Sequence, residues 1–164
     1  MVTYAMSIQI RKALPADTAN LSQLFLDSRR RAFHWNDAER YQLNDFQEQT
    51  KGEVILLAVD DDQRILGFIS VLEPDRFIHH LFVSPDYQRS EIGTLLLRSL
   101  KSWLPQPYRL KCLAANQRGC AFYTKNGWRE VERGTSEDGE FLVFEFGTAS
   151  GSKPAPALAV APTN

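Results

Sequence analysis

The sequence predicts a single mixed α/β domain, a mostly antiparallel, mixed sheet of about seven strands flanked by four helices. Three observations lead there. Short apolar or alternating runs recur along the chain, at 54–59, 65–72, 77–83, 109–114 and 141–146. Two longer segments, near 17–31 and 92–104, carry apolar residues at helical spacing instead. The links between the runs at 54–59, 65–72 and 77–83 are too short for crossovers, so those strands must lie antiparallel.

In chain order, Met1 to Ser7 is a flexible lead-in, and Ile8 and Ile10 alternate with Gln9 and Arg11 as a first strand would. Pro15-Ala16-Asp17 opens a helix that Asp17 or Thr18 caps, with Leu21, Leu24 and Phe25 on one face, running to about Arg31. Phe33-His34-Trp35-Asn36 breaks it, and Tyr41, Leu43 and Phe46 mark a second, less regular helix that Lys51-Gly52 ends. Val54–Val59 is almost wholly apolar, the pattern of a strand covered on both faces. Asp60-Asp61-Asp62 turns it into Ile65–Leu72, and Glu73-Pro74-Asp75 turns that into the next strand. That strand, Phe77–Val83, stops at Ser84-Pro85, because proline donates nothing to a ladder. After a polar turn, Ile92, Leu95, Leu96, Leu100, Trp103 and Leu104 form one face of a helix ending before Pro105. Arg109–Ala114 alternates as a strand. Asn116 precedes a short helix, Gln117–Lys125, closed by Asn126-Gly127 as a left-handed cap. Trp128–Arg133 and Phe141–Phe146 read as a closing hairpin across a loop Gly134–Gly139. The domain therefore spans residues 8–147. Residues 148–164, with three prolines and no periodicity, read as a disordered tail.

Bulk properties exclude several classes. A formal net charge of −1 lacks the basic footprint of a nucleic-acid binder. No apolar run is long enough to span a bilayer, and the N-terminus has neither the basic flank nor the apolar core of a signal peptide. Two cysteines, Cys112 and Cys120, are too few for a disulfide scaffold or a zinc site and read as inert small hydrophobes. A reduced, cytoplasmic location is the simplest expectation. Oligomeric state is open, and a homodimer is compatible with the sequence.

The chain is organised around Phe77–Leu97, FIHHLFVSPDYQRSEIGTLLL: strand, polar turn, helix. Such a turn aims the unpaired N–H groups of a helix N-terminus at an anion. No Gly-Lys-Ser/Thr follows, which excludes a Walker loop, and the glycine pattern of a dinucleotide fingerprint is absent.

Two segments together resemble the GNAT superfamily of acyl-CoA-dependent N-acetyltransferases: LFVSPDYQRSEIGTLLL and, one strand later, NQRGCAFYTKNGW. The resemblance covers Ile8 to Phe146 and implies that fold and an acetyl-CoA co-substrate, with no metal. The family's pyrophosphate loop, Gln/Arg-x-x-Gly-x-Gly/Ala, corresponds here to Gln88-Arg89-Ser90-Glu91-Ile92-Gly93, followed by Thr94. Gly93 keeps the second glycine, but the first is Glu91. Glutamate resists the unusual φ angles that glycine permits, and its charge repels phosphates. Weakened binding is therefore expected, offset in part by Arg89.

The resemblance implies that Leu81, Phe82 and Val83 pair their backbone with the pantetheine arm, and that Asn116 contacts the cofactor. It also assigns Tyr123 as the general acid that protonates the leaving thiolate. A phenol with an ordinary pKa near 10 carries that proton at neutral pH. Many members place an acid four positions before the residue matching Val83. That position is His79 here, a candidate base for the incoming ammonium. On a regular strand His79 and His80 point to opposite faces, which makes His80 a bystander. Arg29-Arg30-Arg31 reads as a solvated helix end, while Phe33, His34, Trp35 and Tyr41 either close the core or border the acceptor site.

The resulting expectation is an N-acetyltransferase moving acetyl from acetyl-CoA to a primary amine of a small molecule or peptide, by direct attack in a ternary complex. Glu91 leaves a second class open, a noncatalytic acyl-CoA-binding or regulatory module.

Overall fold

The computed structural model describes residues 7–87 and 91–148. The predicted flexible N-terminus up to residue 6, the tail from residue 149 and the loop residues Gln88, Arg89 and Ser90 lie outside them. Seven strands form one sheet: β1 (Gln9–Lys12), β2 (Val54–Val59), β3 (Ile65–Leu72), β4 (Phe77–Val83), β5 (Tyr108–Leu113), β6 (Arg129–Ser136) and β7 (Gly139–Phe146). Their order is β1-β2-β3-β4-β5-β7-β6, antiparallel except for the parallel β4–β5 pair. The fold class follows the expectation from sequence.

Four helices cover the two faces. On one face α1 (Thr18–Ala32) and α2 (Asp45–Gln49) bury Leu21, Phe25 and Phe46 against Leu57, Val59, Phe68 and Phe82. On the other, α3 (Ile92–Ser99) and α4 (Gln117–Lys125) bury Ile92, Leu96 and Tyr123 against Leu66, Ile69, Leu81, Leu110 and Phe144. Strands β2 to β4 are sandwiched between both layers, which is why they are apolar at nearly every position.

Several boundaries differ from the sequence reading for local reasons. The Asp17 carboxylate does not cap α1; it accepts from the Leu14 N–H at 2.7 Å and pairs with Arg11 at 2.8 Å. The 92–104 helix is α-helical only to Ser99 and tightens to a 3-10 turn over Leu100–Ser102. The segment from Asp37 is a 3-10 turn at Ala38–Arg40 followed by the single short helix α2. The final hairpin is longer than expected, because Gly134, Thr135 and Ser136 pair with Phe141, Glu140 and Gly139. Only Glu137 and Asp138 remain in its turn, with Gly139 at φ 116°. The Asn126-Gly127 cap forms as read: Gly127 has φ 89° and donates to Thr124 O, and Trp128 donates to Tyr123 O.

One irregularity lies in the middle of the sheet. In the β3–β4 ladder Ser70 faces His80 while Val71 faces Ile78, so His79 is an extra residue bulged out of β4. The bulge resets the alternation: Ile78 packs into the α3/α4 core and Phe82 into the α1/α2 core.

Candidate active site

Strands β4 and β5 are laddered only at Phe77–Arg109 and Ile78–Leu110 and then part. The opening between them is the floor of a cleft of about 1080 Å³. Leu81 and Val83 of β4 line it. From one side come the first turns of α3 and α4: Glu91, Gly93 and Thr94 at one, Asn116 and Gly119 at the other. From the opposite side come Arg31, His34 and Trp35, beyond the end of the α1 core face. Two helix N-termini thus open on one cavity, each offering N–H groups and the positive end of its dipole.

The local sequence explains this placement. Asn116 terminates β5 and caps α4, its Oδ1 accepting from the Gly119 N–H at 3.0 Å. Its Nδ2 is buried and has no partner among the described residues, so a donor is presented at the cleft wall. Gly119 is required for that cap, since a Cβ would stand 2.5 Å from Asn116 Nδ2. Arg98, Arg118 and Lys125 join Arg31 around the rim, against the single carboxylate of Glu91. A chain of net charge −1 has therefore concentrated cations where a polyanion fits.

Of the predicted cofactor residues, Leu81, Val83, Glu91, Gly93, Thr94 and Asn116 line this cleft, while Phe82 and Ile92 are fully buried in the core. Glu91 is the N-cap of α3 at φ −79°, so the expected conformational penalty of replacing glycine does not arise. Only the charge remains. Tyr123 is fully buried against Trp128 and Phe144, and its neighbour Phe122 provides the cleft wall. Arg29 is not solvated: it is 6% exposed, stacks on Phe25 and Tyr41 and pairs with Asp45 at 2.9 Å. Arg30 donates to the Ala38 and Tyr41 carbonyls, which leaves Arg31 of the three at the cleft. No local motif singles out Arg98, Arg118 or Lys125 in the sequence: Arg118 lies in the first turn of α4, while Arg98 and Lys125 lie in the last turns of α3 and α4.

The two histidines do not point to opposite faces. Because His79 is bulged, the rings stack with centroids 4.1 Å apart and planes 29° apart. His80 is fully buried edge-on to Phe25, with neither ring nitrogen partnered. Burial, and then the charges of His79 and Arg29, hold its pKa well below the usual 6.5. His79 Nδ1 is paired with Glu53 Oε1 at the head of β2. Glu53 was not singled out from sequence, since nothing local announces a contact across 26 residues. The donor atoms of Glu53, His79 and His80 lie within 4.8 Å of one another, and two imidazoles with a carboxylate can hold a first-row divalent ion.

Cys112 on β5 and Cys120 on α4 are also less inert than expected. Their sulfurs lie 3.5 Å apart, and that contact pushes the Cys112 thiol up and the Cys120 thiol down.

No helix among the described residues is long and apolar enough to cross a membrane. No curated protein sequence matches the chain. Among solved structures, apo YjaB from Escherichia coli superposes with a TM-score of 0.73 at 21% identity, covering 88% of this chain and 100% of that one. PaiA N-acetyltransferase from Thermoplasma acidophilum, solved with coenzyme A, gives 0.68 at 21% identity, over 86% and 100%. NAA60 from Arabidopsis thaliana, solved with a bisubstrate analogue, gives 0.62 at 19%, over 85% and 97%. These likenesses establish the shared fold. The sequence model of the Acetyltransferase (GNAT) family matches residues 19–128, most of the domain and all the segments that build the cleft. The chain belongs to the GNAT family and is an acetyltransferase.

Proposed function

We propose that this protein transfers the acetyl group of acetyl-CoA to a primary amine of a small molecule or peptide, by direct attack within a ternary complex. The observation that carries the reading is the convergence of two helix N-termini and Arg98, Arg118 and Lys125 on a cleft floored by the parted edge of β4. That arrangement suits a ligand with phosphates at one end and an extended, amide-bearing arm. The phosphates sit at the α3 and α4 N-termini, and the arm runs along Leu81–Val83.

In this reading the chain contributes positioning first, which is worth much of the rate when two reactants are held in line. Backbone donors of β4 polarise the thioester carbonyl. His79 takes the proton of the acceptor ammonium directly or through water, the amine nitrogen bonds to the carbonyl carbon, and the C–S bond breaks. Tyr123 returns a proton to the sulfur. Arg31, His34 and Trp35, on the far side of the cleft, border the acceptor.

Glu91 supports a second reading, an acyl-CoA-binding module without turnover, because it sets a carboxylate at the helix N-terminus that faces the phosphates. One experiment separates the two. Saturating acetyl-CoA raises Tm in both, by the mass-action amount RT ln(1+[L]/Kd). Only the enzyme then releases free thiol from acetyl-CoA across a panel of amino acids, polyamines and peptides. No Tm shift would reject both.

A further inference from the structure

We infer that Cys112 and Cys120 form an oxidisable dithiol, which closes to an intramolecular disulfide between β5 and the start of α4; its effect on the cleft rests on the acetyl-CoA reading above. The chain has two cysteines, and its fold brings both to one place. Strand β5 ends at Leu113, Asn116 turns the backbone and caps α4, and α4 packs back on β5. The sulfurs come to lie 3.5 Å apart, so an approach of about 1.5 Å makes the bond. Cys112 is fully buried and Cys120 half-buried, which gives the pair one sheltered sulfur and one with solvent access. Contact with Cys112 draws the Cys120 thiol down, while the same contact and burial hold the Cys112 thiol up. The charges acting on Cys120, Glu130 and Arg133 of β6, pull in opposite directions and are paired with each other. Thiolate character therefore falls on the accessible member.

The oxidant is a peroxide. The Cys120 thiolate attacks one peroxide oxygen, the S–O bond forms, the O–O bond breaks, and the departing hydroxide takes up the proton that Cys120 had lost. The Cys112 sulfur then attacks the Cys120 sulfur of this sulfenic acid. The S–S bond forms, the S–O bond breaks, and the second hydroxide leaves as water with the Cys112 proton. Two thiols and one peroxide give one disulfide and two waters, the sulfurs losing the two electrons that the peroxide gains. The bond closes over residues 113–119, and Asn116, Arg118 and Gly119 of that segment line the cleft. Asn116 couples the two ends: its carbonyl accepts from the Cys120 N–H at 3.1 Å and lies 3.9 Å from the Cys112 sulfur. The turn has no slack at Gly119, where even a Cβ would stand 2.5 Å from Asn116 Nδ2. Drawing the sulfurs together displaces the Asn116 cap and the N–H groups of α4, and acetyl-CoA binding weakens.

The test treats the reduced full chain with hydrogen peroxide and digests the monomer with trypsin in the absence of reductant. Cleavage after Lys111, Arg118 and Lys125 puts the two cysteines on separate peptides, 112–118 and 119–125. The expected product is these two peptides joined, lighter by two hydrogens than their sum and separated again by dithiothreitol. Oxygen adducts on unjoined peptides, or a disulfide found solely in a dimer of chains, overturn the inference. Calorimetry then compares the reduced and oxidised monomers, and the acetyl-CoA Kd should be several-fold higher in the oxidised one. In Cys120→Ser, peroxide should leave that Kd unchanged. Equal Kd values in the two forms overturn the coupling to the cleft. Binding to neither form overturns the acetyl-CoA reading, while the joined peptides still decide the disulfide. If Cys120→Ser does not fold, the peptides and Kd values of the unchanged chain decide in the same way.

Discussion

A Cβ placed on Gly93 would stand 3.0 Å from Cζ of Phe122, so the first turn of α3 and the cleft-facing side of α4 meet ring to backbone. Glycine at the second position of α3 lets Phe122 sit there undisplaced, with both residues lining the cavity.

The first prediction follows directly. In Gly93→Ala the helix gains up to about 1 kcal/mol of propensity, and the crowding of Phe122 takes back a similar amount. Tm should change little. The displaced ring narrows the phosphate end, and the acetyl-CoA dissociation constant should rise several-fold by calorimetry.

Glu91→Gly removes a carboxylate that stands at the N-cap position of α3 without making a capping hydrogen bond, in a residue that lines the cleft. Affinity for acetyl-CoA should increase by a few-fold at low salt, and the gain should shrink as salt screens the charge. An unchanged dissociation constant at all salt concentrations would show that Glu91 turns its charge outward.

Asn116 separates two roles in one residue. Asn116→Asp keeps the oxygen that caps Gly119 but replaces the Nδ2 donor with charge, so Tm should hold while acetyl-CoA affinity drops. Asn116→Ala should lose both, with a stability cost of about 1 kcal/mol.

Tyr123→Phe tests the acid. The ring packing against Trp128 and Phe144 is retained, so the variant should stay folded. A loss of about 100-fold in kcat, with the KM values for both substrates held, is the result expected of a general acid.

His80 sets a pH dependence of stability. Its folded pKa is depressed, so below the unfolded value near 6.5 the unfolded chain binds a proton that the folded one does not. Stability is therefore unaffected above that pH and falls as pH drops below it, by about 1.4 kcal/mol per unit for one proton. His80→Leu should flatten this part of the Tm profile.

How much of this was legible in the sequence depends on the range of the forces involved. Strand and helix identities are written in local periodicity, and Val54–Val59 or Ile92–Leu97 could be read directly. The cleft wall formed by Gly93, Asn116 and Phe122 was legible too, because those residues lie in short motifs. The pairing around His79 was not. The bulge at His79 is a register event between two strands, and the strict alternation assumed for a regular strand put the histidines on the wrong faces. Glu53 meets His79 only once β2, β3 and β4 are laid side by side. Arg29 looked like a solvated helix end because its charge partner, Asp45, and its aromatic partners arrive from other elements.

The parting of β4 from β5 has a mechanical consequence. Strands β1–β4 and strands β5–β7–β6 are two plates joined, at the level of the ladder, by the Phe77–Arg109 and Ile78–Leu110 pairs alone. A ligand arm that hydrogen-bonds to the β4 edge adds a seam next to that short weld. The domain then behaves as a stiffer body when loaded, and amide exchange along Leu81–Val83 and Cys112–Leu113 should slow together.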